Sequence, residues 1–229
     1  MRVTTPNAKK RRTWKTAGLH QQQKVETNMT YSTVLAARTT DLETFVTAWH
    51  DWGRDRVMEQ GQLGSSLSQV MLGGERSGEV NVSFQWDSID QAMDGLAAAN
   101  SDTEIMSLYQ SCGFTVQRRS LARTITERGS RDGKYVSTVM FTADPTDDET
   151  ASANIDTMWG MLSAGSNGCV WAQVVAGGQF TGMYAMINWV DSLDAYMEAA
   201  NTANSSEAGK KIQSDHNLQG TSRSFARSL

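Results

Sequence analysis

Three histidines are the residues of this sequence best suited to proton transfer near neutral pH. His20 lies in the N-terminal stretch, which shows no hydrophobic pattern, and is set aside. His50 falls inside a predicted helix, and His216 follows the last predicted helix. Either imidazole could act as an acid or a base, or ligate a metal or haem iron, but a solvated histidine fits both positions as well. We therefore assign no catalytic residue and keep His50 and His216 as candidates.

No known catalytic or cofactor motif accompanies these histidines. The sequence contains no Gly-x-Gly-x-x-Gly, no phosphate-binding Gly-Lys-Ser/Thr loop, no Cys-x-x-Cys, no His-Glu-x-x-His and no Gly-x-Ser-x-Gly. Cys112 and Cys169 are far apart and fit no metal-ligand spacing, so we expect reduced thiols and no metal site. Haem needs a proximal ligand such as histidine. Because no motif supports either candidate histidine in that role, we predict no cofactor and do not expect haem.

Tryptophan side chains could line a pocket for a flat organic molecule. Asn188 adds a polar group at the place where strand alternation puts Phe84 in the first half of the chain, and a buried amide needs a hydrogen-bond partner. Simple core packing explains a tryptophan on a helical stripe equally well. The candidate pocket-lining residues are Trp49, Trp52, Trp86, Trp171, Asn188 and Trp189.

The elements that would position these residues occur twice along the chain. When the sequence is shifted by 104 positions, Tyr31 meets Tyr135 and Gly73-Gly74 meets Gly177-Gly178. Over the first long helix of each half the offset is 106. The second half has two extra residues before this helix and two fewer after it, so the offset returns to 104 beyond the helix. Both changes fall in predicted loops, where length changes are tolerated. The fixed offset indicates an internal duplication.

Each copy has the element order β-α-β-β-α-β. Residues 41–60 form the first predicted helix, with an apolar stripe that includes Phe45 and Trp49, and Thr40 and Thr146 are predicted to cap the two long helices. This order predicts a ferredoxin-like unit, an antiparallel four-stranded sheet with both helices on one face. Because the other face is bare, two such sheets can pack face to face or join edges into a closed barrel. The predicted fold class is α+β, two tandem ferredoxin-like repeats that pair their sheets into an α/β-barrel-like pseudo-dimer.

Charge is distributed unevenly along the chain. Residues 1–28 carry seven Lys and Arg against one Glu and are predicted to be a disordered basic arm, followed by repeats at residues 29–130 and 131–229. Since the whole chain has a net charge of −4, the two repeats are strongly acidic, which argues against nucleic acid as a partner. No apolar run approaches the length needed to cross a bilayer. We expect a cytoplasmic protein, although organelle targeting by the arm stays open.

This pattern resembles the dimeric α/β-barrel superfamily, whose members pair two ferredoxin-like units, in some cases within one chain. The resemblance covers residues 31–229 and is carried by the duplicated element order, the Gly73-Gly74 and Gly177-Gly178 hairpins and the long first helices. It implies a pocket between each sheet and its helices. The superfamily includes cofactor-free antibiotic-biosynthesis-type monooxygenases, isomerases, haem peroxidases and chlorite-degrading enzymes, so the resemblance fixes no reaction.

The residues leave open whether the protein is an enzyme. The favoured prediction is a non-catalytic protein that binds a small hydrophobic or aromatic molecule or assembles through its sheets, because the matched copies share no ionisable pocket residue. The alternative is a small-molecule enzyme resembling the cofactor-free monooxygenases, with His50 or His216 assisting proton transfer. We expect no nucleic-acid or membrane partner, and a homo-oligomer stays open.

Overall fold

Residues 29–229 are described by a computed structural model, and the predicted basic arm at residues 1–28 lies outside the described part of the chain. The elements of the first half are β1 Tyr31–Arg38, α1 Leu42–Ala48, a π-helical turn Trp49–Gly53, α2 Arg54–Met58, β2 Gly64–Leu72, β3 Val80–Trp86, α3 Ile89–Ser101, α4 Thr103–Ser111 and β4 Thr115–Gly129. Those of the second half are β5 Tyr135–Thr142, α5 Asp148–Leu162, β6 Gly168–Ala176, β7 Tyr184–Val190, α6 Leu193–Ser205, α7 Glu207–Asp215 and β8 Gln219–Ser228.

The strands close into one antiparallel barrel with the order β1-β3-β2-β8-β5-β7-β6-β4. Within each half the strands keep the ferredoxin-like order, and the halves meet where β2 pairs with β8 and β4 pairs with β6. Closure leaves no strand edge within residues 29–229 exposed to another chain. The predicted pseudo-dimer of two ferredoxin-like units is therefore confirmed, and its sheets join by their edges. The repeat boundaries at residues 29–130 and 131–229 stay a prediction.

Strand alternation decides which side chains face the helices and which fill the barrel. In β3 the apolar residues Val80, Val82 and Phe84 are buried, whereas the residues between them are half-buried. In the second half, Val170, Ala172 and Trp189 form one buried cluster, whereas Trp171, between the first two, packs with Phe141 in another. The helix-facing side of each sheet thus forms a core of its own.

The caps of the two long helices differ from the prediction. Thr40 and Thr146 were expected to cap them, but the caps are the next residues, Asp41 and Asp147. The Asp41 carboxylate accepts the backbone N–H of Thr44 at 3.0 Å, and Asp147 binds the equivalent N–H at 2.8 Å. A carboxylate also interacts favourably with the positive end of the helix dipole. These hydrogen bonds hold the pKa of both carboxyl groups below the usual value.

Candidate functional site

An apolar cavity lies in the second half, between the sheet of β5 to β8 and helices α5, α6 and α7. Its volume is about 350 Å³. Small-molecule sites span roughly 300 to 1,000 Å³, so this cavity suits a compact ligand. Aromatic and aliphatic side chains form most of its wall, including Phe141, Ile155, Trp171, Tyr184 and Leu218.

The two halves of the molecule are equivalent at the level of single residues. Cys112 ends α4 and its carbonyl accepts the backbone N–H of Thr40 at 3.1 Å. His216 ends α7 and its carbonyl accepts the N–H of Asp144 at 2.9 Å. The capping residues Asp41 and Asp147 start the two long helices at equivalent positions. The sizes of the side chains at corresponding positions of the two halves can therefore be compared.

Aromatic rings occupy, in the first half, the space that is hollow in the second. Phe114 stacks on both Phe45 and Tyr109, with ring centroids 4.6 Å apart for Phe45 and Phe114 and 4.4 Å apart for Tyr109 and Phe114. Trp49 continues this group at 6.4 Å from Phe45. The corresponding residues of the second half are smaller or more polar, and all line the cavity: Ala151, Gln213, Leu218 and Ile155. The cavity is thus the volume that these substitutions leave empty.

A histidine and an amide form a hydrogen-bonded pair in the cavity wall. Nε2 of His216 lies 2.8 Å from Nδ2 of Asn154, which is on α5. With the amide donating, Nε2 is unprotonated and the neutral ring carries its proton on Nδ1. Both side chains line the cavity and both are half-buried. The pair therefore places an imidazole, oriented by an amide, in the wall of a mostly apolar cavity.

An aromatic wall lies on the sheet side of the same cavity. The ring of Trp171 lies 4.5 Å from that of Phe141 and 6.1 Å from that of Tyr184, measured between centroids. Strand alternation places all three on the helix-facing side of the sheet. Rings in such offset and tilted arrangements suit the face of a planar aromatic ligand.

Tyr196 connects the cavity to a buried polar group. Tyr196 lines the cavity, and its hydroxyl accepts a hydrogen bond from Nδ2 of Asn188 at 3.2 Å. Asn188 is fully buried, and its Oδ1 has no partner among the described residues. Ser137 lies opposite Asn188 across β5 and β7, and its buried hydroxyl also lacks a protein partner within residues 29–229. An ordered water between the two groups would satisfy both.

The other candidate residues lie elsewhere. His50 is exposed in the π-helical turn. Trp49 and Trp86 are buried in the first-half core, where the Trp86 indole donates to Oγ1 of Thr33 at 3.0 Å, and Trp52 packs at the edge of that core. Of the predicted site residues, His216 and Trp171 both line the cavity. The other predicted residues do not line it.

Trp189 belongs to the buried cluster with Val170 and Ala172, and the guanidinium of Arg131 lies 5.6 Å from the centroid of its ring. This position gives Trp189 a packing role and a cation–π contact. It is not among the residues that line the cavity.

Sequence reasoning missed Asn154, Tyr196 and Arg223, which all line the cavity. A signal for Asn154 was available, because it interrupts the helical stripe formed by Ala151, Ile155 and Met158. Tyr196 and Arg223 gave no such signal, since a tyrosine in a helix and an arginine in a strand are common on ordinary surfaces.

Neither cysteine fits a nucleophilic role. Cys112 and Cys169 are free and buried. Burial raises the pKa of the Cys169 thiol to about 11, so almost none of it is thiolate near neutral pH. Within residues 29–229, no group of three His, Cys, Asp or Glu side chains is placed to hold a metal ion. No helix in that same range is long and apolar enough to span a membrane.

Comparison with solved structures shows the same fold across nearly the whole chain. A heme-binding protein from Thermus thermophilus matches with a TM-score of 0.56 and 9% identity, over 87% of this chain and 91% of that one. An anthrone oxidase-like protein matches with a TM-score of 0.53 and 15% identity, over 87% and 91%. A protein named as a candidate monooxygenase from Fusobacterium nucleatum matches with a TM-score of 0.54 and 9% identity, over 89% and 94%.

No protein-family model and no curated protein matches the sequence. The structural matches show that the chain has the dimeric α/β-barrel fold, with both units of the barrel in one polypeptide. At this level of identity they establish the fold and leave the reaction open.

These neighbours correct the prediction that the protein uses no cofactor and that haem is not expected. Several solved structures with the same fold are chlorite dismutases, and one is a heme-binding protein. The prediction was wrong because it rested on the absence of sequence motifs. Residues that hold haem need not be close in sequence, so the absence of a local motif does not exclude a haem site.

Proposed function

We propose that the cavity of the second half binds a flat, largely apolar organic molecule, and that His216 accepts a proton from it during an oxidation by dioxygen. The observation that carries this proposal is the His216–Asn154 pair, 2.8 Å between the two nitrogens, in the wall of a cavity formed mostly by aromatic and aliphatic side chains. An anthrone oxidase-like protein among the neighbours supports a polycyclic substrate.

Residues on both sides of the cavity would share the work. The rings of Trp171, Phe141 and Tyr184 offer a wall on which a planar molecule can stack. Asn154 fixes the orientation of the imidazole by its hydrogen bond to Nε2. For Nε2 to accept a proton from a bound substrate, the amide of Asn154 would have to release this nitrogen, so Asn154 would orient the ring in the free protein.

Anthrone provides a direct test, because its CH₂ group is acidic and its oxidation balances with dioxygen alone. His216 would take a proton from that carbon, and the resulting anion would be oxidised by dioxygen, so that anthrone and O₂ give anthraquinone and water. The rate of anthraquinone formation by the full chain, above the spontaneous rate, is measured by chromatography.

We expect His216→Gln to lower this rate by about 10²-fold or more, as removal of a general base typically does. His50→Gln is the matched control, because His50 is exposed on the other half of the molecule, and it should leave the rate unchanged. Anthrone binding without turnover would support instead the non-catalytic binding role. Absence of binding to anthrone and to anthraquinone would overturn the proposal.

Haem is a second candidate ligand of the same cavity, favoured by His216. The donor set fits, because haem iron in proteins is commonly held by a histidine, and His216 lines the cavity wall. His216 would hold the iron, the apolar wall would contact the ring, and Arg223 would bind a propionate. Bound haem would supply redox chemistry with oxygen or peroxide.

The volume of about 350 Å³ favours the smaller organic ligand. An absorption spectrum after addition of haemin decides between the two candidates. A Soret band that His216→Ala removes and His50→Ala retains would establish haem binding at this site. A band that persists unchanged in His216→Ala would exclude His216 as the ligand.

A further inference from the structure

We infer that the ligand of this cavity is an aromatic carboxylate, and that Arg223 binds its carboxylate group at the rim. This inference rests on the proposed function and specifies the substrate class of the same site. Its basis is the charge of the lining: among residues 29–229, the side chains that form the wall include one arginine, Arg223, and no Asp, Glu or Lys.

Arg223 is exposed while it lines the cavity, so it stands where the cavity opens to solvent. No carboxylate of residues 29–229 lies within salt-bridge distance of it. The one hydrogen-bond contact of its side chain within that range is Nη1 to the thioether sulfur of Met197, a weak acceptor, at 3.0 Å. By contrast, Arg118, Arg123 and Arg128 of β4 each pair with a carboxylate.

Comparison of the two halves explains why the guanidinium of Arg223 lacks the amide partner that its first-half equivalent has. The equivalent residue of the first half, Arg119, donates from Nη2 to Oδ1 of Asn100 on α3 at 2.9 Å. In the second half the corresponding amide, Asn204, instead accepts from Nε2 of Gln213 at 3.2 Å. Gln213 corresponds to Tyr109 of the first half. The smaller Gln213 helps to open the cavity, and it also binds the Asn204 oxygen that would otherwise accept a hydrogen bond from Arg223.

The rim formed by Arg223, Asn204 and Gln213 consists of hydrogen-bond donors suited to an anion. A guanidinium matches a carboxylate in a bidentate arrangement. The amide N–H groups of Asn204 can donate to it, because its oxygen is the atom that Gln213 engages. Glu198, on α6, neither lines the cavity nor pairs with Arg223 in the described part of the chain. An anionic group attached to a planar ring therefore fits the rim while the ring occupies the apolar interior.

The test compares two probes that differ only in charge, anthraquinone-2-carboxylate and anthraquinone-2-carboxamide, by isothermal titration calorimetry of the full chain. We expect the carboxylate to bind about tenfold more tightly than the amide, as is typical of a charge-assisted pair that remains partly exposed to solvent. Arg223→Gln should abolish this preference by weakening the carboxylate alone. Arg119→Gln, the equivalent change in the first half, should keep it.

Each outcome is informative. Equal affinity of the two probes for the wild-type chain, or a preference that survives in Arg223→Gln, overturns the inference while the cavity remains a ligand site. If neither probe binds, the proposed function fails and the inference fails with it. Thermal denaturation of both arginine variants checks that the fold is intact, which is expected because Arg223 is exposed.

Discussion

Ala151 occupies, on α5, the position that Phe45 occupies on α1, four residues after the capping aspartate of each helix. Phe45 is fully buried and stacks on Phe114, whereas Ala151 faces the cavity. This difference is one of the four substitutions that separate a filled core in the first half from a candidate binding site in the second. The duplication has left one half to stabilise the barrel and the other with space for a ligand.

We predict that Ala151→Phe fills the cavity and removes ligand binding. The added ring would lie where Phe45 lies in the first half, so anthraquinone-2-carboxylate should bind at least tenfold more weakly, while the midpoint of thermal unfolding stays the same or rises as empty volume is removed. Calorimetry and thermal denaturation measure the two effects. Ala153→Phe, on the exposed side of α5, is the control and should bind normally. Unchanged binding by Ala151→Phe would place the ligand elsewhere.

Phe45→Ala should create a cavity in the first half and destabilise the fold. Phe45 is 0% exposed and contacts the rings of Trp49, Tyr109 and Phe114. Its truncation should lower the free energy of unfolding by about 3–5 kcal/mol, as measured for buried phenylalanines. Urea denaturation measures this loss, with Met93→Ala as the control because Met93 is 59% exposed. A loss below about 1 kcal/mol would mean that the first-half core is loosely packed.

The architecture could be predicted because it depends on patterns that repeat along the chain. Alternation in β3, the turn at Gly73-Gly74 and the common offset identified both units, and the bare sheet faces led to the closed barrel. The C-terminal end of β4 could not be predicted from the sequence. Residues Ile125–Gly129 continue it only because β6 pairs with them, and polar residues such as Glu127 and Arg128 give no strand pattern.

The candidate site was harder to predict, because it depends on volume and on long-range contacts. His216 and Asn154 are 62 residues apart in the chain, and nothing local indicates that they meet. The correspondence between Phe45 and Ala151 was visible in the sequence, but its meaning lay in the space that the smaller side chain leaves. The presence of a tryptophan was by itself a poor guide to the cavity wall, since Trp49 and Trp86 pack in the first-half core.

Both thiols should be unreactive in the folded protein. Cys112 and Cys169 are buried, and burial raises the pKa of Cys169 to about 11. Only the thiolate reacts, so a disulfide reagent at pH of about 8 should modify neither cysteine in the native chain and both in denaturant. Absorbance of the released thiolate counts them. Rapid modification of one cysteine without denaturant would show that its element opens readily, which is the end of α4 for Cys112 and β6 for Cys169.

The buried ion pair of Glu79 should make stability depend on acid pH. Glu79 precedes β3, is 4% exposed, and contacts Arg118 and Arg76. Burial on its own would raise the pKa of Glu79, but the hydrogen bonds and charges of the two arginines outweigh it and hold the pKa below the ordinary value of 4.5. The unfolded chain therefore binds this proton at higher pH than the native chain does. The stabilisation from the charged carboxylate is complete above pH of about 4.5 and is lost as pH falls through the lower native pKa.

Glu79→Gln tests this dependence. Near neutral pH the variant should be about 3 kcal/mol less stable, because the change leaves two partly buried guanidinium groups without their anion. The difference from the wild-type chain should shrink as the pH falls below about 4.5, because the wild-type carboxylate is then protonated as well. Asp215→Asn removes an exposed pair with Lys211 and should change stability by less than about 1 kcal/mol. Urea denaturation at a series of pH values measures both variants, and a gap for Glu79→Gln that stays constant into the acid range would show that the charge of Glu79 does not stabilise the fold.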